Sequence, residues 1–290
     1  MALKDRRLVK LGRAVQRRYG EDSAGYLASA VAYHAFLSLF PLMLLGLSVV
    51  GFLLAQDSQA QVEWVDRLSR SVPGLHDLIG DSLRTVVKQR AGAGVIALVG
   101  LAWTGIGVVG AAGHALGRVF RVPEYGSFFR KKLWSIGSLV TLGLLALVAT
   151  ALTGLAAGLD AGGTIGILIA VGAGALGFLL DFGVFLIGYR ILVQRRGPAF
   201  GRLWKGAVLA AAGWMVLKLI GAWLVGRVVT NAAAVYGSFA AVIGVLFLLH
   251  LGSRLFLYGA ELNAVLIEEE LKSDGTSKAT PAERALAREG

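Results

Sequence analysis

Residues 237–267 read GSFAAVIGVLFLLHLGSRLFLYGAELNAVLI, and this stretch decides the class of the fold. A helix that crosses a bilayer needs about 20 mostly apolar residues at about 1.5 Å each, and this segment exceeds that length. It nevertheless carries His250, Arg254 and Glu261. At about 100° per residue, positions four and seven apart share an arc of about 40° on one side of a helix, so these residues form a polar stripe on a membrane span. An ionisable group at bilayer depth costs about 2.5–3.5 kcal/mol on insertion scales, so the stripe is expected to face protein or water.

Composition extends that reading to the whole chain. With 56% hydrophobic residues and a mean hydropathy of +0.68, the 290 residues belong to an integral membrane protein. The 40 glycines fit that class, because small residues let helices approach closely in lipid. Pairs such as Gly113/Gly117 and Gly154/Gly158 therefore read as packing positions. The absence of cysteine excludes disulfides, thiolate nucleophiles and cysteine metal sites. A formal charge of +11 would suit nucleic acid, but the basic residues sit beside predicted spans.

Those basic residues orient the chain. Residues 1–27 hold Lys4, Arg6, Arg7, Lys10, Arg13, Arg17 and Arg18, which assigns them to the cytoplasmic side as a basic amphipathic segment. Leu3, Leu8, Leu11 and Val15 would form its apolar side, either touching anionic headgroups or belonging to an ordinary solvated helix. The expected membrane domain covers 28–267 and is all-α, with six transmembrane helices. Pro41 should kink the first span by removing an amide donor opposite the Leu37 carbonyl, and Ser38 is placed to satisfy freed backbone groups there. Residues 56–90 alternate apolar positions at helical spacing with balanced charge, as expected of amphipathic extracytoplasmic helices. Arg118, Arg121, Arg130, Lys131 and Lys132 mark one further inner loop, and Arg190, Arg195, Arg196, Arg202 and Lys205 another. Residues 268–290 are expected to form a disordered or weakly helical cytoplasmic tail.

The segments AYHAFLSLFPLMLL, WTGIGVVGAAGHALGRVFRV with FFRKKLW after it, AVYGSFAAVIGVL and YGAELNAVL resemble the YihY/BrkB family of bacterial inner-membrane proteins. The resemblance spans most of residues 25–267 and implies a multi-pass protein of the bacterial inner membrane. Some members carry the older label of ribonuclease BN, others a virulence-factor label. The HLGSRLF run departs from the family's continuously apolar last span, so His250 and Arg254 inherit no role from it.

A nuclease reading finds little support. His34, His76, His114 and His250 lie in separate segments, without metal-ligand spacing or a Ser/His/Asp grouping. No glycine loop with its phosphate-binding lysine appears either, so no cofactor is expected. The intramembrane charges say more. Counted from the inner ends of their spans, Asp181 and Arg254 reach ~14 Å depth and Lys218 and His250 ~20 Å. Asp181 can pair with Arg254 or Lys218; Glu261, nearer the interface, is either hydrated or paired with Arg254. Such a set serves either as a buried pair that fixes packing or as a positive interior for an anionic compound. The leading expectation is a transporter or flippase-like carrier of an anionic, envelope- or lipid-related compound; the alternative is a non-catalytic scaffold for envelope proteins. Expected partners are membrane lipids, including anionic headgroups, a small anionic or lipidic substrate and further copies of the chain, but not nucleic acid.

The charge distribution predicts that tags on both termini are protected from a membrane-impermeant label in intact cells, whereas a tag within 56–90 is modified. A terminus labelled from outside overturns the topology.

Overall fold

The computed structural model describes residues 2–53, 90–122, 133–145, 163–193, 197–231 and 237–274. The expected loop helices of 56–89, the Gly154/Gly158 pair and the last residues of the tail lie outside them. The described chain runs as α1 (Ala2–Glu21), α2 (Ala24–Leu53), α3 (Arg90–Val119), α4 (Leu133–Leu145), α5 (Gly163–Ile191), a 3-10 turn (Phe200–Arg202), α6 (Trp204–Asn231) and α7 (Gly237–Asp274). No strand occurs among the described residues. Stretches of α2, α3, α5, α6 and α7 are long and apolar enough to cross a membrane. The shorter apolar α4 is the described part of the expected third span, Trp134–Leu159.

The chain divides into two compact units. One comprises Met1–Val31, Val109–Val216 and Gly252–Gly290; the other comprises Ala32–Val108 and Leu217–Leu251. In the second unit, α2 and α3 meet through small residues. A Cβ placed on Gly94 would lie 2.7 Å from the Ser48 hydroxyl, one on Gly100 would lie 3.1 Å from the Pro41 ring, and one on Gly107 would lie 2.5 Å from the His34 ring. The α2 positions 34, 41 and 48 recur every seven residues, and their glycine partners run the opposite way along α3. This is an antiparallel seam in which each larger side chain occupies the space a missing Cβ leaves. α2 continues as helix through Pro41, and Ser38 donates to the Ala35 carbonyl at 2.6 Å rather than to that of Leu37.

In the first unit α6 and α7 cross in backbone contact. A Cβ on Gly259 would lie 2.5 Å from the Gly206 carbonyl oxygen, so neither helix tolerates a side chain there. Asn263 locks the crossing. Its Oδ1 accepts from the Gly206 amide at 2.7 Å, and its Nδ2 donates to the Leu203 carbonyl at 2.8 Å. Gly206 is in the first turn of α6, where amides have no partner within their own helix, so α7 supplies the cap. Tyr189 of α5 closes the same place by donating to the Phe256 carbonyl at 2.7 Å and stacking on the Phe256 ring.

α7 runs past Ile267 to Asp274, so the first residues of the expected tail are helical. Lys272 bonds Glu268 at 2.9 Å, a neighbour pair on this extension.

The crossing predicts that Gly206→Ala and Gly259→Ala each overpack the contact, at a cost of about 1–3 kcal/mol or more. Asn263→Ala leaves a buried amide unmatched at a similar cost of about 1–3 kcal/mol. Thermal denaturation in detergent should show all three melting below the parent, while Gly244→Ala, with open space around its Cα, melts with it.

Candidate functional site

α1 is amphipathic, but its inward face is not wholly apolar. Val15, Arg18 and Tyr19 are buried, and Arg18 retains only 8% exposure. The burial of a guanidinium demands acceptors, and three elements provide them. Its Nη1 donates to Glu268 at 2.8 Å, its Nη2 to the Val119 carbonyl at the end of α3 at 3.2 Å, and its Nε lies 3.4 Å from a Glu261 oxygen. Glu261 is 0% exposed. The expectation of a hydrated Glu261, or of a pair with Arg254, is therefore corrected. α1 docks over the inner end of α7 and puts a buried cation beside it, which a reading of spans alone leaves out.

A second pair flanks the first. Asp22, also buried, forms an ion pair with Arg121, whose Nη1 further donates to the Arg118 carbonyl at 3.0 Å. Both partners sit at strained backbone. Ser23, next to Asp22, has φ 54°, and Arg121 itself has φ 53°, the left-handed region that costs non-glycine residues about 1–2 kcal/mol. The Val122 amide bonds back to the Gly117 carbonyl at 2.8 Å, so Arg121 holds the position after α3 where glycine is usual. Its guanidinium supplies the reason: from this position it reaches Asp22. Several polar atoms here lack hydrogen bonds among the described residues, including both Glu261 oxygens and Asp22 Oδ2.

Arg254 lies one step along this face. Its guanidinium carbon is 5.7 Å from the Tyr19 ring centroid, and Tyr19 stacks on Tyr258 with centroids 4.0 Å apart. The Tyr258 hydroxyl donates to Gln16 at 2.9 Å. Burial pushes the Tyr19 phenol above its ordinary range, opposed by Arg254. Arg254 of α7 thus meets Tyr19 of α1.

The remaining expected residues divide between the units. Asp181, Arg254 and Glu261 belong to the first, and Lys218, His250, Ser38 and Pro41 to the second. Asp181, His250 and Arg254 are half-buried, and Lys218 is exposed. Among the described residues no group of three His, Asp or Glu side chains is placed to hold a metal ion.

Removing one member of a buried ion pair costs about 3–5 kcal/mol, because the other charge stays behind. Arg18→Ala is therefore expected to lower the melting temperature far more than Arg17→Ala, whose partner Glu21 is an exposed neighbour on the same helix. Pairing Arg18→Met with Glu261→Gln should recover part of that loss. If the double variant melts below both single variants, the pair is not the organising contact.

The Virulence factor BrkB family model matches residues 15–285. An uncharacterised protein of Dickeya dadantii (strain 3937) is 28% identical over 265 residues, covering 84% of this chain and 79% of its own. Inner membrane protein YhjD of Escherichia coli (strain K12) is 23% identical over 282 residues, 89% of this chain and 80% of the relative. No solved structure matches. The matched region holds α2 through α7 and the Arg18, Asp22 and Glu261 cluster, and the chain, a multi-pass inner-membrane protein, belongs to the BrkB family.

Proposed function

We propose that this protein moves, or presents for movement, an anionic and lipid-related compound across the cytoplasmic membrane. The observation that carries the reading is the accessibility of charge within the spans. Lys218 lies in the apolar stretch Trp204–Gly221 with its side chain exposed, and Asp181 in Val171–Ile191 is only half-buried. An ionisable group left open in an apolar span is costly unless water, protein or a polar ligand meets it. Arg18 and Glu261, by comparison, are buried.

The sign of the charge selects the cargo. Lys218 and Arg254, with His250, outnumber Asp181 at these depths. This excess of basic residues in the spans favours phosphate or carboxylate groups, and the exposed leucines, valines and isoleucines of the same helices suit an attached apolar part. The sequence contains no nucleotide-binding glycine loop, so the driving force in this reading comes from a gradient or a partner.

Complementation of a deletion strain tests the reading against a scaffold role. Asp181→Asn, Lys218→Ala and Arg254→Ala should each reach the membrane at parental levels yet restore growth or envelope integrity at least about tenfold less well. Truncation after Asp274 should complement fully. If the three charge variants complement fully and the truncation fails, the protein is a scaffold instead.

A further inference from the structure

α4 and α5 enclose a cleft of about 740 Å³, lined by Leu133, Trp134, Ser138, Thr141, Arg190 and Ile191 among others. That volume lies within the range of small-molecule sites, about 300–1,000 Å³. Two of its polar groups are anomalous. Ser138 is 1% exposed, and its hydroxyl has no hydrogen-bond partner among the described residues. A buried helical serine ordinarily returns its proton to a carbonyl of the preceding turn, as Thr141 does here to Gly137 at 2.9 Å. Arg190 Nη1 is likewise buried without a partner among the described residues.

A basic residue in the last turn of α5 is itself unremarkable, because it complements the helix dipole. The dipole does not explain a buried guanidinium nitrogen that has no hydrogen-bond partner among the described residues. The Ile191 carbonyl, on the same lining, accepts from Trp134 Nε1 at 2.7 Å. Two donors without acceptors therefore line one cleft, and a buried donor left unmatched costs about 1–3 kcal/mol. The missing partner is an acceptor, and beside a guanidinium it is an anionic one.

We infer that this cleft binds the phosphate of an anionic phospholipid, with Arg190 and Ser138 holding the phosphate oxygens. The rest of the wall fits that ligand. Leu133 and Ile191 are apolar, and a Trp such as Trp134 is typical of headgroup depth. The lining residues lie in the first part of α4 and at the end of α5, the ends that the basic residues place on the cytoplasmic side, where a headgroup is at hand and its acyl chains can remain in the bilayer. The inference rests on the cleft alone and does not require that the protein transports anything.

Native mass spectrometry of the purified full chain tests it, with dioleoyl phosphatidylglycerol, dioleoyl phosphatidylcholine and sn-glycerol 3-phosphate as probes. One phosphatidylglycerol should bind more tightly than phosphatidylcholine. Arg190→Gln should weaken it by about tenfold or more and Ser138→Ala by about threefold, whereas Arg190→Lys should retain most of the affinity. Melting curves of the same samples identify folded variants; Ser138→Ala removes one hydroxyl and keeps the test available if Arg190→Gln is unstable. Phosphatidylglycerol binding that is unchanged in folded Ser138→Ala and Arg190→Gln, or matched by phosphatidylcholine, overturns the inference. Glycerol phosphate binding that depends on Arg190, with no lipid bound, overturns the lipid source and assigns the site to a soluble phosphate.

Discussion

Arg18 joins three helices that are far apart in sequence. Its guanidinium leaves α1, takes the last carbonyl of α3 and ends among Glu261 and Glu268 of α7. A cation with 8% exposure has no alternative to these acceptors, because bare burial of a charge costs several kcal/mol. The constraint propagates. α1 must lie where Arg18 can reach α7, so Tyr19 falls on Tyr258 and Arg254 falls on Tyr19. The turn into α2 must bring Asp22 to Arg121, and the left-handed Ser23 and Arg121 are the backbone cost of that approach.

The same stretch of α7 performs a different task on its other side. Within YGAELNAV, Tyr258 stacks on α1, Gly259 admits the backbone of α6, Glu261 meets Arg18, and Asn263 caps α6. Alternation of these roles follows helical geometry, since residues two apart on a helix face opposite sides. Ala260, Ala264 and Val265 of this run are buried. The motif that carries the family resemblance is therefore a packing device. It fixes helices.

Much of the fold was legible because membrane helices announce themselves by length and hydropathy, and five of the expected spans appear as such helices. The role of glycine was legible too, as the Gly113 position, 3.1 Å from the Leu192 carbonyl, illustrates. The partner of Glu261 was not. Counting depth along spans compares only residues within spans, and Arg18 belongs to a helix that precedes the first one. One local signal pointed that way: Arg18 lies three residues from Val15 and seven from Leu11, on the apolar side of α1 rather than its basic one. Ser138 and Arg190 were illegible for another reason. Each is ordinary in its own helix, and only the juxtaposition of α4 with α5 leaves their donors unmatched.

Two populations of charge follow from these contacts, and they bear differently on what the protein does. Arg18, Asp22 and Glu261 are closed off by protein, and their arrangement is accounted for by the docking of α1. Lys218, Asp181 and His250 retain accessible surface within apolar helices, where a purely architectural charge would be buried with its partner or replaced by an apolar residue of similar size. Exposed charge in such a segment is stabilised by water, protein or a polar ligand. The first population holds α1 against α3 and α7. The proposed transport role rests on the second population, which lies outside the YGAELNAV run.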